Sequence, residues 1–294
     1  MESGNRPPPQ LRVSGPESSE YGRPSDLPLA NFPVVAIGAS AGGLEAFTEL
    51  LRGLPVDTGM AFVLIQHLSP DHPSMLTRIL SRETAMPVNE VADGTVLSPN
   101  QVYVIPPNAA MTISGPGFTL GPRESAGRTI DGFFRSLAES RKSAAVGVIL
   151  SGTGSDGALG VQAVGAEGGV VFAQDPASAK FDSMPRRAIA TGCVDLVLPP
   201  EGIAAELARI ARDPHLVRRD TPDSEQSSDS AEAFQTLLDL LRERTGIDFS
   251  LYRQTTIRRR LLRRMALLKQ GSLGRYLEYV KENPDELHDL RRTP

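Results

Sequence analysis

The chain has a single cysteine, no tryptophan and no long apolar run. One cysteine excludes an internal disulfide, so we expect Cys193 to be a buried thiol in a strand over 191–197. No segment approaches the roughly 18 apolar residues that span a bilayer, and the N-terminus lacks a basic region followed by an apolar run. These absences predict a soluble, cytoplasmic protein that does not insert into a membrane.

The chain also lacks an excess of one charge and has few histidines. It has 31 lysines and arginines against 35 acidic residues, and the net charge of −4 argues against nucleic acid as a partner of the whole protein. Only four histidines are available as bases. The 294 residues, 40% of them hydrophobic, suffice for one sizeable core and a small second unit.

Composition divides the chain into four parts. Residues 1–32 are rich in proline, serine, glycine and charge, which predicts disorder. Residues 33–212 alternate apolar strands with helical segments, a pattern typical of a doubly wound, mostly parallel α/β sheet. Residues 213–231 have the composition of a flexible linker, and residues 232–294 are predicted to form a small all-α domain.

The most informative motif follows the apolar strand 34–37, where small residues surround Ser40. Gly38, Ser40 and Gly42 have the spacing of a nucleophile elbow, in which small neighbours let a sharp strand-to-helix turn expose a serine hydroxyl. N–H groups at the start of the next helix would point to a developing oxyanion. A phosphate-binding turn, or a small residue in a tight turn, remains the alternative at this point.

A serine nucleophile needs a base, and His67 is the best placed histidine. It follows the apolar strand 61–65 almost directly, and ligands of open parallel sheets bind outside the carboxyl ends of the strands. His72 lies at a predicted helix start and is a weaker candidate. His215 and His288 lie outside the strand-and-helix part of the chain.

The third member would be an acid that orients the imidazole. Asp156 lies in the glycine-rich loop 151–157, which follows the apolar strand 144–150. Asp131, before a helical segment, and Asp175, in a turn, are weaker alternatives. Asp156 could also be an ordinary turn residue between glycines.

The order of these residues excludes one other fold, and the motif around Ser40 disfavours a second. An α/β-hydrolase places its histidine after its acid, whereas here the order is Ser40, His67, Asp156. A dinucleotide-binding fingerprint needs a second glycine where Ser40 stands, and an acid near the position of His67.

The motifs at 38–43, 66–67 and 152–157 resemble, in this order, the three catalytic motifs of the bacterial chemotaxis protein-glutamate methylesterase (CheB) family. Residues 104–107 and 184–186 extend the resemblance, which covers about 33 to 210. The resemblance implies a doubly wound α/β fold with a Ser-His-Asp triad and no metal or organic cofactor.

Carried over, Ser40 is the nucleophile, His67 the general base and acid, and Asp156 the orienting carboxylate. The implied reaction hydrolyses γ-glutamyl methyl esters on methyl-accepting chemoreceptors, with deamidation of glutamines as a further reaction of the family. The oxyanion would be held by backbone N–H groups of Ala41 and of Thr153 or Gly154.

This sequence departs from the family pattern at two positions. Thr often follows the nucleophile, where this chain has Ala41, and Met is frequent where it has Thr153. If these positions act through backbone N–H groups, both changes are tolerated. The best-known members also carry an N-terminal receiver domain of phosphorelay signalling, for which residues 1–32 are too few.

The segment 252–265 holds six arginines and no acid. On a helix, Ile257, Leu261, Met265 and Leu268 form one apolar stripe. The region resembles the N-terminal helical subdomain of the chemotaxis receptor methyltransferase (CheR) family, which implies receptor recognition. The SAM-binding domain of that family would need about 150 further residues, so methyl transfer is not expected.

The predicted partner-binding residues are the arginines Arg258, Arg259, Arg260, Arg263 and Arg264. A solvated helix face is the plainer explanation of such a run, and nucleic acid is the competing partner. Two alternatives to a receptor methylesterase remain: a catalytically silent adaptor that docks on receptors, and a serine esterase that acts outside chemotaxis.

Overall fold

A computed structural model describes residues 32–66, 75–122, 128–212, 228–245, 270–284 and 286–287, together with 257, 261, 264, 265 and 268. Its centre is a seven-stranded parallel sheet with the order β3-β4-β2-β1-β7-β8-β9, beside a two-stranded antiparallel pair, β5 and β6. The strands are β1 Val34–Ala39, β2 Ala61–Gln66, β3 Val88–Glu90, β4 Gln101–Val104, β5 Ala109–Ser114, β6 Gly117–Pro122, β7 Ala145–Ile149, β8 Val170–Gln174 and β9 Leu196–Leu198.

Helices connect the strands and cover both faces of the sheet. They are α1 Gly43–Arg52, α2 Leu76–Leu80, α3 Thr129–Arg141, α4 Ala158–Ala166, α5 Ser183–Ala190 and α6 Pro200–Arg212. Two further helices, α7 Ser228–Thr245 and α8 Leu273–Glu282, belong to the C-terminal region. The predicted α/β fold with a small helical region is confirmed.

Strand β1 shows why this sequence folds into a buried parallel sheet. All six of its residues are buried, because helices pack on both of its faces. Val35 and Ile37 point to a core shared with α1 and α6, whereas Val34 and Ala36 point to a core shared with α3 and α4. The strand preceding Ser40 is thus held from both sides.

The C-terminal region has its own small core. The predicted stripe is confirmed, since Ile257, Leu261 and Met265 are buried and Leu268 packs against them. Tyr276 on α8 is fully buried in the same cluster. No helix in the described ranges is long and apolar enough to span a bilayer.

Two details differ from the sequence-based predictions. Cys193 is buried as expected, but it precedes the strand, which covers only Leu196–Leu198. Helix α7 begins at Ser228, inside the range predicted as linker. Residues 1–31 and 213–227 lie outside the described residues, and so do the predictions that concern them.

Candidate active site

Ser40 lies on the tight turn between β1 and α1, as the sequence predicts. Its N–H donates to the carbonyl of Ser151 at 3.0 Å, and its own carbonyl accepts the Gly43 N–H at 2.9 Å. Gly42 precedes the helix in the left-handed region, with φ 72°. A Cβ atom at Gly42 would lie 2.7 Å from Ser151 Oγ, so both backbone and space require glycine here.

The strands on either side of β1 bring the predicted motifs to one edge of the sheet. Ala39 pairs with Gln66 at the end of β2, and Gly38 pairs with Ile149 at the end of β7. Gln66 Nε2 also donates to the Ser40 carbonyl at 3.3 Å. The segments leading to the predicted base and acid therefore start on both sides of Ser40.

The four histidines, His67, His72, His215 and His288, all lie outside the described residues. The role of His67 as base and its preference over His72 therefore stay predictions. Their support is that His67 directly follows Gln66, which the sheet places beside the turn that carries Ser40.

Asp156 is almost completely buried, with 8% of its surface exposed. Its Oδ2 accepts the Ile130 N–H at 3.0 Å, and its Oδ1 accepts the N–H groups of Asp131 and Gly157, each at 2.9 Å. Two of these donors belong to the first turn of α3, where helix amides lack intrahelical partners. This environment holds the carboxylate in one orientation and satisfies both of its oxygens.

The two alternative acids have different surroundings. Asp131 is 4% exposed, and its Oδ1 accepts the Gly160 N–H in the first turn of α4 at 2.7 Å. Burial raises the pKa of Asp131, the Gly160 N–H opposes that shift, and the negative charge of Asp156 adds to it. Asp175 instead accepts the Ala177 N–H at 3.0 Å within its own turn.

The loop after β7 offers only some of its N–H groups to a substrate. The Gly152 N–H donates to the Phe181 carbonyl at 2.9 Å, and the Gly154 N–H donates to Ser183 Oγ at 2.8 Å. Within the described part of the chain, the N–H groups of Ala41 and Thr153 have no acceptor. Of the three predicted oxyanion positions, the structure therefore leaves Ala41 and Thr153 available.

Ser151 is a site residue that the sequence analysis missed. Its hydroxyl, on a side chain 1% exposed, donates to the Ala41 carbonyl at 2.9 Å and accepts the Phe181 N–H at 3.0 Å. Its N–H donates to Gln174 Oε1 at 2.8 Å. Gln66 and Gln174 each end an otherwise apolar strand. This pattern could have indicated that polar groups at the carboxyl ends of these strands support the site.

Of the five predicted partner-binding arginines, only Arg264 is described. Its Nε donates to Glu286 Oε1 at 2.7 Å, and the two side chains are 15% and 5% exposed. The Tyr276 hydroxyl donates to the same carboxylate at 2.7 Å. Arg264 is engaged in the core of the helical region, and the prediction of a partner surface rests on Arg258, Arg259, Arg260 and Arg263, which lie outside the described residues.

Two regions of the chain are similar to known protein families. Residues 35–207 match the family described as CheB methylesterase, and residues 232–293 match the all-alpha domain of CheR methyltransferase. The crystal structure of the CheB methylesterase catalytic domain from Thermotoga maritima superposes with a TM-score of 0.58 at 28% identity, covering 62% of this chain and 100% of that one.

Curated relatives match over different shares of their length. Protein-glutamate methylesterase/protein-glutamine glutaminase 2 of Burkholderia lata is 40% identical over 184 residues, which are 61% of this chain and 54% of the relative. A Leptospira interrogans relative is 34% identical over 61% of this chain and 95% of its own length. An uncharacterized 104.1 kDa protein of Rhodobacter capsulatus is 38% identical over 74% of this chain and 25% of its own length. The chain thus spans about a quarter of the length of the Rhodobacter capsulatus relative and about half of the length of the Burkholderia lata relative.

Proposed function

The chain belongs to the CheB methylesterase family, and we propose that it hydrolyses γ-glutamyl methyl esters on the cytoplasmic helices of chemoreceptors, releasing methanol. The observation that carries the proposal is the position of Ser40 on a tight turn between β1 and α1, which Gly42 allows by adopting a left-handed backbone conformation. The ends of β2 and β7 flank this turn, and they lead to His67 and Asp156.

In the proposed reaction, His67 removes the proton from Ser40 as the hydroxyl oxygen attacks the ester carbonyl. An imidazole of ordinary pKa, near 6.5, suits this task at neutral pH. Asp156 orients the ring and stabilises imidazolium. The backbone N–H donors around Asp156 support this role, because they hold the buried carboxylate in one orientation and hydrogen-bond both of its oxygens.

The tetrahedral oxyanion would be held by the N–H groups of Ala41 and Thr153. This assignment explains why Ala and Thr are acceptable at these positions, since a backbone N–H is the same for either residue. His67 then protonates the leaving methoxide, and water releases the acyl group from Ser40 by the reverse sequence. Glutamine deamidation would use the same steps with ammonia as the leaving group.

The C-terminal region would contribute binding rather than chemistry. We propose that the arginines Arg258, Arg259, Arg260 and Arg263 contact the acidic surface of a receptor. The match to the all-alpha domain of CheR methyltransferase supports a role in the same signalling system.

The experiment that tests the reaction measures methanol released by the full chain from a receptor cytoplasmic fragment that has been methylated in vitro. The unmethylated fragment and an aryl acetate serve as controls. We expect methanol from the methylated fragment at a rate proportional to protein concentration. Turnover of the aryl acetate alone would favour an esterase outside chemotaxis, and binding of the fragment without turnover would favour the adaptor.

A further inference from the structure

Phe181 lies at the rim of the site and is 40% exposed. We infer that its ring is a specificity-determining contact, which packs against an aliphatic side chain of the substrate helix one turn away from the methylated glutamate. The inference rests on the proposed function, because it needs a substrate whose ester side chain projects from a helix.

The ring lies directly against the nucleophile turn. A Cβ atom at Gly42 would come within 3.3 Å of Phe181 Cδ2 and within 3.0 Å of Lys180 Cβ. On the other side, a Cβ atom at Gly152 would lie 3.0 Å from Ser40 Cβ, and Gly152 donates its N–H to the Phe181 carbonyl. The glycines on both sides let Phe181 and Ser40 approach the same small patch of surface.

Hydrogen bonds hold the backbone at Phe181 in place. The Phe181 N–H donates to the buried Ser151 Oγ at 3.0 Å, and its carbonyl accepts the Gly152 N–H at 2.9 Å. Three residues further on, the Met184 N–H donates to the Gly152 carbonyl at 3.0 Å. Because the backbone is already held, only the side-chain torsions of Phe181 have to be ordered when a partner covers the ring, and this lowers the entropic cost of the contact.

The size and place of the ring set it apart from other exposed apolar groups. Among the exposed large hydrophobic side chains of the described residues, Phe181 is the one aromatic. Single exposed aliphatic residues are ordinary on protein surfaces, whereas aromatic rings dominate the binding energy of interfaces. Beside the ring, Lys180 forms an ion pair with Glu45 at the start of α1. An apolar contact surrounded by polar groups is the usual arrangement of a protein interface.

The geometry of a substrate helix fits this placement. Side chains three or four residues apart on a helix lie about 5–6 Å from each other on one face. A helix that directs its ester to Ser40 therefore presents a neighbouring side chain to the surface beside the turn, where Phe181 lies. An aliphatic neighbour would bury part of the ring and gain the free energy of removing apolar surface from water.

The test compares two substrates with the full-length protein: the methylated receptor fragment, and N-acetylglutamate γ-methyl ester, which has no neighbouring side chain. For Phe181→Ala we expect KM for the fragment to rise about tenfold while kcat changes less than about twofold. Its kcat/KM for the small ester should stay within about twofold of the wild type. Phe181→Leu should retain most of the affinity, because it remains apolar.

Val56→Ala is the matched control and should leave both substrates unaffected. Val56 is 50% exposed but precedes β2, so it lies at the amino ends of the strands, away from Ser40 at their carboxyl ends. An equal loss on both substrates would show that the ring supports the catalytic turn, and an unchanged KM for the fragment would show that it makes no contact. Either result overturns the inference. A wild type that hydrolyses the small ester but not the fragment would instead overturn the proposed function, and with it the substrate that the inference requires.

Discussion

Asp156 and Asp131 each accept hydrogen bonds from the helix that begins beside the other. Asp156, which precedes α4, accepts two N–H groups of the first turn of α3, and Asp131, in that turn, accepts the Gly160 N–H of α4. Two buried carboxylates thus lie next to each other, and the positive ends of two helices compensate their charges. These hydrogen bonds connect Asp156, the proposed catalytic acid, to α3 as well as to α4, the helix that it precedes.

Replacing Asp131 by Asn should change how stability depends on pH. The folded pKa of Asp131 is raised above its ordinary 3.8, chiefly by burial and further by the charge of Asp156, while Arg128 acts in the opposite direction. Its contribution to folding is therefore fully present below about pH 3.8 and is lost as pH rises through the raised folded pKa. Thermal melts should show Asp131→Asn gaining stability relative to the wild type between about pH 4 and pH 7.

The control for that change is Asp57→Asn, which removes an exposed charge from the turn before β2. A difference in Tm between Asp131→Asn and the wild type that stays constant over this pH range would contradict the raised pKa of Asp131.

Gly42→Ala should abolish most activity, because its backbone has φ 72° and the new Cβ would lie 2.7 Å from Ser151 Oγ. We expect hydrolysis to fall about a hundredfold, the effect of displacing a catalytic group by about 1 Å. Gly59→Ala is the matched control, since Gly59 has φ 69° with open space around it. Equal effects of the two substitutions on activity would argue against a special role of the turn.

Ser151→Ala should weaken both the nucleophile turn and the segment at Phe181. The change leaves the Ala41 carbonyl and the Phe181 N–H without their partner, which we expect to reduce the free energy of unfolding by about 1–3 kcal/mol. Because the Ala41 N–H belongs to the same turn, kcat should fall more than KM rises. Steady-state kinetics and urea unfolding measure the two effects, and a stability loss with unchanged kcat would leave Ser151 a purely structural role.

Glu286→Gln should destabilise the helical region, because Arg264 would lose its charged partner in a buried place. Breaking a buried ion pair typically costs about 3–5 kcal/mol. Glu83→Gln, which removes the exposed Arg52–Glu83 pair, should cost less than about 1 kcal/mol. Hydrogen exchange on α8 in the full chain would compare the two variants, and equal protection in both would contradict the buried pairing.

The edge of the sheet that carries the site could be predicted from the sequence. Strands β1, β2 and β7 are continuous apolar runs that end in polar or glycine-rich segments, and parallel strands bring such ends together. The strand ends meet as predicted, so the neighbourhood of Ser40 follows from local patterns.

The contacts that support the site could not be predicted in this way. The donors to Asp156 lie 25 and 26 residues away on α3, and Phe181 meets Ser151 across 30 residues. Such contacts depend on how loops and helix ends pack, which no periodicity records. The same holds for the arginine run, because Arg264 pairs with the buried Glu286, which lies 22 residues further along the chain.

The most direct test of the central claim is the rate of methanol release from the methylated receptor fragment by Ser40→Ala, compared with Ser155→Ala. Ser155 is an exposed serine in the loop after β7, and its replacement controls for the loss of a hydroxyl near the site. We predict that Ser40→Ala folds and binds the fragment but releases no methanol, while Ser155→Ala retains nearly the full rate. Methanol release by Ser40→Ala at a rate close to that of Ser155→Ala would contradict Ser40 as the nucleophile.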